Sequence, residues 1–335
     1  MNKVRIYGTL GPACGEPAIL KKMFLEGMDG IRLNLSHTTL EESAGLIEAY
    51  QNAARTCGIS PELLIDMRGP ELRIEALEKP LELNDGELLE IDRIPFPDEV
   101  LSALLSMNRD GQEILLDDGK LLLRAERSVH HKPSLRVIRG GLLESRKSVA
   151  LPACEFHPPA MTETDREQIR RAKEYGVTAL MQPFVRSKED LIAVRNALDL
   201  AGCQDVRLFA KVESLEGMRK LDELIPYCDE IVIARGDLGS AMELWELPAA
   251  QKRISAACRA AGRDFMVVTQ MLDSMTHRPV PTRAEVSDIF NAVLDGAASV
   301  MVTGETAAGE YPELAIRYLS KTVRAAEAYL SECRR

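Results

Sequence analysis

No stretch of the chain holds eighteen consecutive apolar residues, and the first residues lead into a strand-like pattern instead of an apolar leader, so membrane insertion and export are not expected. A basic surplus is also missing. The 42 Lys and Arg against 52 Asp and Glu leave a formal net charge of -10, which argues against a broad nucleic-acid surface. Any anionic ligand must then be gripped by a few placed cations. There is no C-x-x-C pair: Cys14, Cys57, Cys154, Cys203, Cys228, Cys258 and Cys333 are scattered and odd in number. That excludes a disulfide framework and a zinc site as expectations, and a reducing cytoplasm fits best. What is there is a chain of 335 residues, 45% apolar, long enough for one large domain and a smaller one.

Short apolar runs that end in polar residues alternate with amphipathic segments, the sequence form of repeated strand-helix units around a parallel sheet. Eight strands are expected, at Val4 to Thr9, Gly30 to Asn34, Leu63 to Asp66, Ala179 to Pro183, Leu208 to Glu213, Glu230 to Ala234, Asp264 to Gln270 and Ser299 to Thr303. Capping boxes at Thr39 with Glu42, Thr164 with Glu167 and Thr282 with Glu285 announce helix starts, and Gly58 is the expected stop of the second. The last helix begins at Pro312. The rhythm breaks once, between Ile74 and Val149, where β-like runs replace helical patterns and Asp118-Gly119 marks a hairpin. The expected fold is α/β: a (β/α)8 TIM barrel, residues 1–73 and 150–335, with a small all-β lid domain, residues 74–149, inserted after the third strand. A third domain is not expected.

Glu213 closes one strand and Asp237 follows the next, so in a parallel barrel both carboxylates reach the C-terminal mouth. Acids there repel each other unless a cation sits between them, and hard oxygen ligands suit Mg²⁺. An ordinary salt bridge to Lys211 or Arg32 is the alternative. Lys211 lies two residues before Glu213 and projects to the same side. Arg32, Asn34 and Ser36 alternate from the end of the second strand, and Asp66 ends the third, so one cation and three oxygen-bearing groups converge. For Asn34 and Ser36 a turn that satisfies a strand end is the competing explanation. Gly236 permits a sharp turn, and a helix starting there would offer N–H groups to a carboxylate.

Eight ordered segments carry a family resemblance. Gly8 to Ala13, Arg32 to His37, Asp66 to Arg73, Lys211 to Glu213, Ala234 to Gly239, Thr269 to Met275, Pro281 to Glu285 and Gly304 to Pro312 resemble the characteristic segments of pyruvate kinases. The resemblance implies transfer of a phosphoryl group from phosphoenolpyruvate to a nucleoside diphosphate, with Mg²⁺ or Mn²⁺ at Glu213 and Asp237. It assigns Lys211 and Arg32 to the phosphoryl oxygens. A monovalent cation, normally K⁺, falls to Asn34, Ser36, Asp66 and the backbone carbonyl of Met67. Substrate carboxylate binding falls to Gly236, Asp237 and Thr269, and Thr269 is also placed near the enolate carbon that takes a proton. Arg73 and Lys147, at the two ends of the lid, match positions that contact nucleotide or transferred phosphate; Arg32, Asn34 and His37 join them on the nucleotide side. Glu71 fits the potassium-dependent members. Asp118 is a further candidate, whereas His130, His131, His157 and His277 have no ligand spacing.

The chain departs from the usual pattern at Arg68, Ser148, Ala150 and Ser214, and in Ser240 to Leu244 after the Asp237 motif. A C-terminal domain with a sugar-phosphate effector pocket, usual in the family, is not expected, nor is control of that kind. Two other functions stay open. One is a metal-dependent aldolase or mutase acting on pyruvate-like enolates. The other is a phosphoenolpyruvate-binding regulator with impaired catalysis. Partners are small molecules, with neither nucleic acid nor membrane, and barrel faces that could pair as a homodimer.

Overall fold

The structure, a computed structural model, describes residues 3–106, 111–117, 119–126, 133–152, 154 and 158–333. Asp118, His130, His131 and His157 lie outside them.

Eight strands, β1 (Arg5–Thr9), β2 (Gly30–Asn34), β3 (Glu62–Asp66), β4 (Ala179–Gln182), β5 (Arg207–Val212), β6 (Glu230–Ala234), β7 (Asp264–Val268) and β8 (Ser299–Met301), pair in parallel and close into a barrel. Two interiors result from the alternation of side chains along each strand. Ile6, Ile65, Leu208, Ile231, Ile233, Phe265 and Val300 face the helices. Tyr7, Leu64, Met181, Phe209, Val232, Met266 and Met301 fill a separate cluster in the lumen. The barrel is thus a packed core and not a pore.

Residues two places from that lumen layer keep the same parity; Ala179, Ala234 and Val268 extend the apolar cluster, but several of the others are polar, at both ends. Below it, Arg5 contacts Glu230 at 2.5 Å, and Arg207 contacts Glu62 at 2.6 Å and Glu230 at 2.8 Å. Tyr7 donates to Glu62, and Ser299 donates to the fully buried Glu230. Above it stand Asp66 and Lys211. The lower charged layer went unrecognised in the sequence, because its members lie far apart in the chain and meet only on closure.

Of the three expected capping boxes, one starts its helix as expected, one is shifted and one closes a turn instead. Thr282 and Glu285 form the expected capping box of helix Arg283–Leu294. The box expected at Thr164 is formed instead by Thr162 and Asp165, ahead of helix Glu163–Arg171. Asp165 is the better partner because it also accepts from the N–H groups of Arg68 and Gly69. Thr39 and Glu42 exchange the expected bonds, but the turn they close precedes a helix that begins at Ala44. Gly58, at φ 67°, ends that helix in the left-handed conformation. The last helix is Pro312–Glu332.

The chain divides into two compact units, Met1–Gly69 with Ala160–Arg335, and Pro70–Pro159. The second contains the antiparallel sheet of Leu88–Glu90, Gln112–Leu116, Leu121–Glu126, Ser134–Arg139 and Val149–Ala150, with a separate pair Leu81–Leu83 and Gly141–Leu143. Strands Gln112–Leu116 and Leu121–Glu126 are the expected hairpin. To the expected β content the structure adds one helix, Asp98–Ser106, whose inner face is only Val100 and Leu104. Two buried positions make too brief a pattern to be read as a helix from sequence. Among the described residues no helix is long and apolar enough to cross a membrane, and all seven cysteines are free.

Candidate active site

Parity explains why a lysine and an acid meet at the mouth. Leu64 and Phe209 point into the lumen, so Asp66 and Lys211, each two residues further along its strand, point inward one layer higher. Lys211 Nζ stands 3.2 Å from Asp66 Oδ2 and 2.9 Å from Glu213 Oε1. Arg32 reaches Asp66 Oδ2 through Nε at 2.8 Å and Nη2 at 2.7 Å. Glu213 accepts the N–H of Phe184 at 2.7 Å through its other oxygen. Its Oε1 is buried and has no aligned hydrogen bond, so the Lys211 contact is an ion pair without hydrogen-bond geometry.

Burial alone would raise Asp66, but Lys211 and Arg32 outweigh it and hold the carboxyl below its ordinary value. Burial would lower Lys211, yet Asp66 and Glu213 win and raise it. Glu213 goes the other way: burial, with help from the charges of Asp237 and Asp66, pushes it up against the pull of Lys211. The three responses describe a site in which one acid is fully compensated and another is not. The under-compensated acid lies beside Asp237.

Asp237 lies in the short helix Arg235–Ser240, which begins one residue before Gly236, so the Gly236 N–H falls in a first turn with no intrahelical acceptor. A Cβ on Gly236 would stand 3.2 Å from Thr269 Cγ2, which places the two loops in contact. Strand β7 was expected to run to Gln270. It ends at Val268, because Thr269 and Gln270 turn into positive φ, at 78° and 55°. For a β-branched threonine such a backbone costs about 1–3 kcal/mol and persists only where surrounding contacts impose it.

Asn34 is in register with Asp66 on the neighbouring strand, and its Oδ1 accepts the Ser36 N–H at 3.2 Å. This is the competing turn explanation, although the amide oxygen keeps a second lone pair. Met67 is buried and its N–H donates to Met181 O. His37 is exposed just beyond β2. Arg73 and Lys147 both belong to the second unit. There Arg73 pairs with Glu71, donates to Arg146 O at 3.0 Å and bridges to Ser148, while Lys147 contacts Asp117 at 3.1 Å and Glu144 at 3.2 Å.

Residues 1–316 match the family model "Pyruvate kinase, barrel domain". The chain belongs to the pyruvate kinase family. It is similar to the pyruvate kinase of Geobacillus stearothermophilus, 35% identical over 325 residues, which covers 94% of this chain and 55% of that protein. The pyruvate kinase of Methylorubrum extorquens is 36% identical over 337 residues, covering 97% of this chain and 69% of that protein. That of Bacillus licheniformis is 34% identical over 340 residues, covering 99% and 58%. The chain spans little more than half the length of the first and third of these relatives.

Three further residues of this pyruvate kinase family barrel shape the site without having been singled out from sequence. Arg235 grips the Thr269 carbonyl and Asp288. Asp165 holds the Arg68–Gly69 turn, and Glu305, buried, accepts from the N–H groups of Leu272 and Thr303. Arg235 and Glu305 both sit inside recognised segments, so their motif was a usable signal, but their partners are distant in sequence. Among the described residues no group of three His, Cys, Asp or Glu is arranged to hold a metal ion. Glu213 and Asp237 make a two-carboxylate set, which suits an ion that completes its shell with water and substrate oxygens. The unaligned Glu213 Oε1 and the raised carboxyl fit such a cation. The oxygens of Asn34, Ser36, Asp66 and Met67 fit a monovalent one in donor type.

Proposed function

We propose that the chain transfers the phosphoryl group of phosphoenolpyruvate to ADP, giving pyruvate and ATP, and that the mouth cluster of Arg32, Asp66, Lys211, Glu213 and Asp237 is where this happens. The observation that carries the proposal is Lys211 held between Asp66 and Glu213 beside Arg32, two cations at the rim of a barrel that faces an anionic substrate. The phosphorus–oxygen bond of the enol phosphate breaks, a bond to the terminal oxygen of ADP forms, and the enolate carbon takes a proton. Lys211 and Arg32 steady charge on the transferring oxygens, work that is mostly positioning and electrostatics. Gly236 N–H and the Thr269 hydroxyl hold the substrate carboxylate, and Thr269 stands by the carbon that is protonated.

Glu213 and Asp237 would hold Mg²⁺ or Mn²⁺, with K⁺ at Asn34, Ser36, Asp66 and the Met67 carbonyl. When bound, the divalent ion supplies positive charge to the phosphate and enolate oxygens. Arg73, Lys147 and His37 are assigned to the nucleotide by family resemblance alone. Seven free cysteines support action in a reducing cytoplasm. Exposed Leu244 and Trp245 give an apolar surface on which two copies could pair.

The test is whether ATP appears when the chain meets phosphoenolpyruvate, ADP, Mg²⁺ and K⁺. Pyruvate chemistry without an ADP requirement would favour the aldolase or mutase instead. Tight phosphoenolpyruvate binding by calorimetry, with no turnover across nucleotides and either Mg²⁺ or Mn²⁺, would favour the regulator.

A further inference from the structure

Arg235 stands at the first position of the helix after β6, side chain 11% exposed, and its guanidinium reaches three ways. Nε and Nη2 donate to the Thr269 carbonyl at 3.1 and 2.6 Å, Nη1 pairs with Asp288 at 2.5 Å, and Nη2 also contacts Met271 Sδ at 3.0 Å. The peptide it grips follows the residue whose backbone is left-handed. Asp288 lies on helix Arg283–Leu294, three residues after Glu285, whose carboxylate accepts from Ser274 N at 2.8 Å and Ser274 Oγ at 2.6 Å. The start of that helix therefore ties the β7 loop at two points, directly at Ser274 and through Arg235 at Thr269.

We propose that Arg235 is a positioning residue: its planar fork holds Thr269 in the left-handed conformation and so sets the threonine hydroxyl against the Gly236–Asp237 turn. The inference rests on the proposed function only in naming what the hydroxyl serves, which is the substrate carboxylate and protonation of the enolate carbon. Geometry supplies the rest. A relaxed Thr269, with negative φ, would swing its side chain away from the position where it stands within 3.2 Å of a Cβ built on Gly236. One fork satisfies a carbonyl and a carboxylate at once, which a lysine ammonium, a point charge on a flexible stem, does not reproduce.

Arg235→Lys and Asp288→Asn are compared with the parent, with circular dichroism to establish folding. For folded Arg235→Lys the expected result is a kcat lower by about 100-fold, the scale of a misplacement near 1 Å, with KM for ADP within about threefold of the parent. Exchange of pyruvate methyl protons with deuterated solvent, the reverse of the protonation step, should fall at least as far. Asp288→Asn keeps the fork and an acceptor, and should lose less than about tenfold in both. A folded Arg235→Lys that keeps kcat and methyl exchange within about threefold overturns the proposal. Crystal structures of parent and Arg235→Lys provide a second test that needs no activity: Thr269 with negative φ in the variant supports the positioning role, and an unchanged positive φ overturns it. An inactive parent would count against the proposed function, while the backbone comparison would still decide the role of Arg235.

Discussion

Replacing Lys211 by methionine tests the centre of the site. The ammonium stands 2.9 Å from Glu213 and 3.2 Å from Asp66, so each attraction is about 5–6 kcal/mol at an effective dielectric near 20, before the desolvation it offsets. Breaking a buried pair from one side costs about 3–5 kcal/mol. Here the lower end is expected, because Arg32 still neutralises Asp66 and the Phe184 N–H still bonds Glu213. Urea unfolding followed by circular dichroism should therefore show a loss of about 3 kcal/mol. Turnover should fall further than stability can explain, by about 10²–10³-fold at a temperature where the variant is folded, because the missing charge acts on the transferring oxygens. A coupled assay for pyruvate and ATP measures it. Thermal melts supply an independent check: without Lys211 competing for Glu213, Mg²⁺ should raise the melting temperature of the variant more than that of the parent. Turnover within tenfold of the parent, or a variant less responsive to Mg²⁺, would refute the placement of Lys211 between its acids and the reacting group.

At the lower barrel layer, far from the mouth, Glu230→Gln leaves Arg5 and Arg207 without their shared buried carboxylate, and unfolding should become easier by about 3 kcal/mol while KM stays unchanged; a shifted KM would mean that this layer also acts on the site. Glu285→Ala removes a capping box and the Ser274 anchor, for a loss of about 1–2 kcal/mol at neutral pH. Partial burial would raise the Glu285 carboxyl, but bonds from Ser274 and Thr282 outweigh it and hold it below the ordinary 4.5. Its contribution is thus present above pH 4.5 and is lost as pH falls through the lower folded value, so parent and variant should converge in acid unfolding curves. Gly69→Ala places a Cβ 2.3 Å from Pro183 Cγ at φ 65°, and a cost of about 1–3 kcal/mol is expected in denaturant titration; a neutral result would mean the turn held by Asp165 is built differently.

The elements that were legible in the sequence are those whose chemistry is local. Alternation placed all eight barrel strands to within two residues of their ends, with β8 expected to reach Thr303 and stopping at Met301, Thr282 and Glu285 marked a helix start, and Gly58 marked a stop. Strand β7 was overrun because Thr269 has high strand propensity, while its actual backbone is left-handed and its carbonyl is held by Arg235 from the start of the helix after β6. Similarly, Thr164 and Glu167 have the spacing of a capping box, but Asp165 also serves the Arg68–Gly69 turn, and that second role selects Thr162 as the cap.

By itself, then, the order of residues determined the strand-helix rhythm, the family segments and which side chains share a strand face, because each depends on neighbours within a few positions. Closure of the barrel decided which face became lumen. Only assembly of the sheet brings Asp66 to Lys211, Arg235 to Thr269 and Arg5 to Glu230, residues separated by 145, 34 and 225 positions, since contacts so remote in the chain have no local energy to signal them before the strands pair.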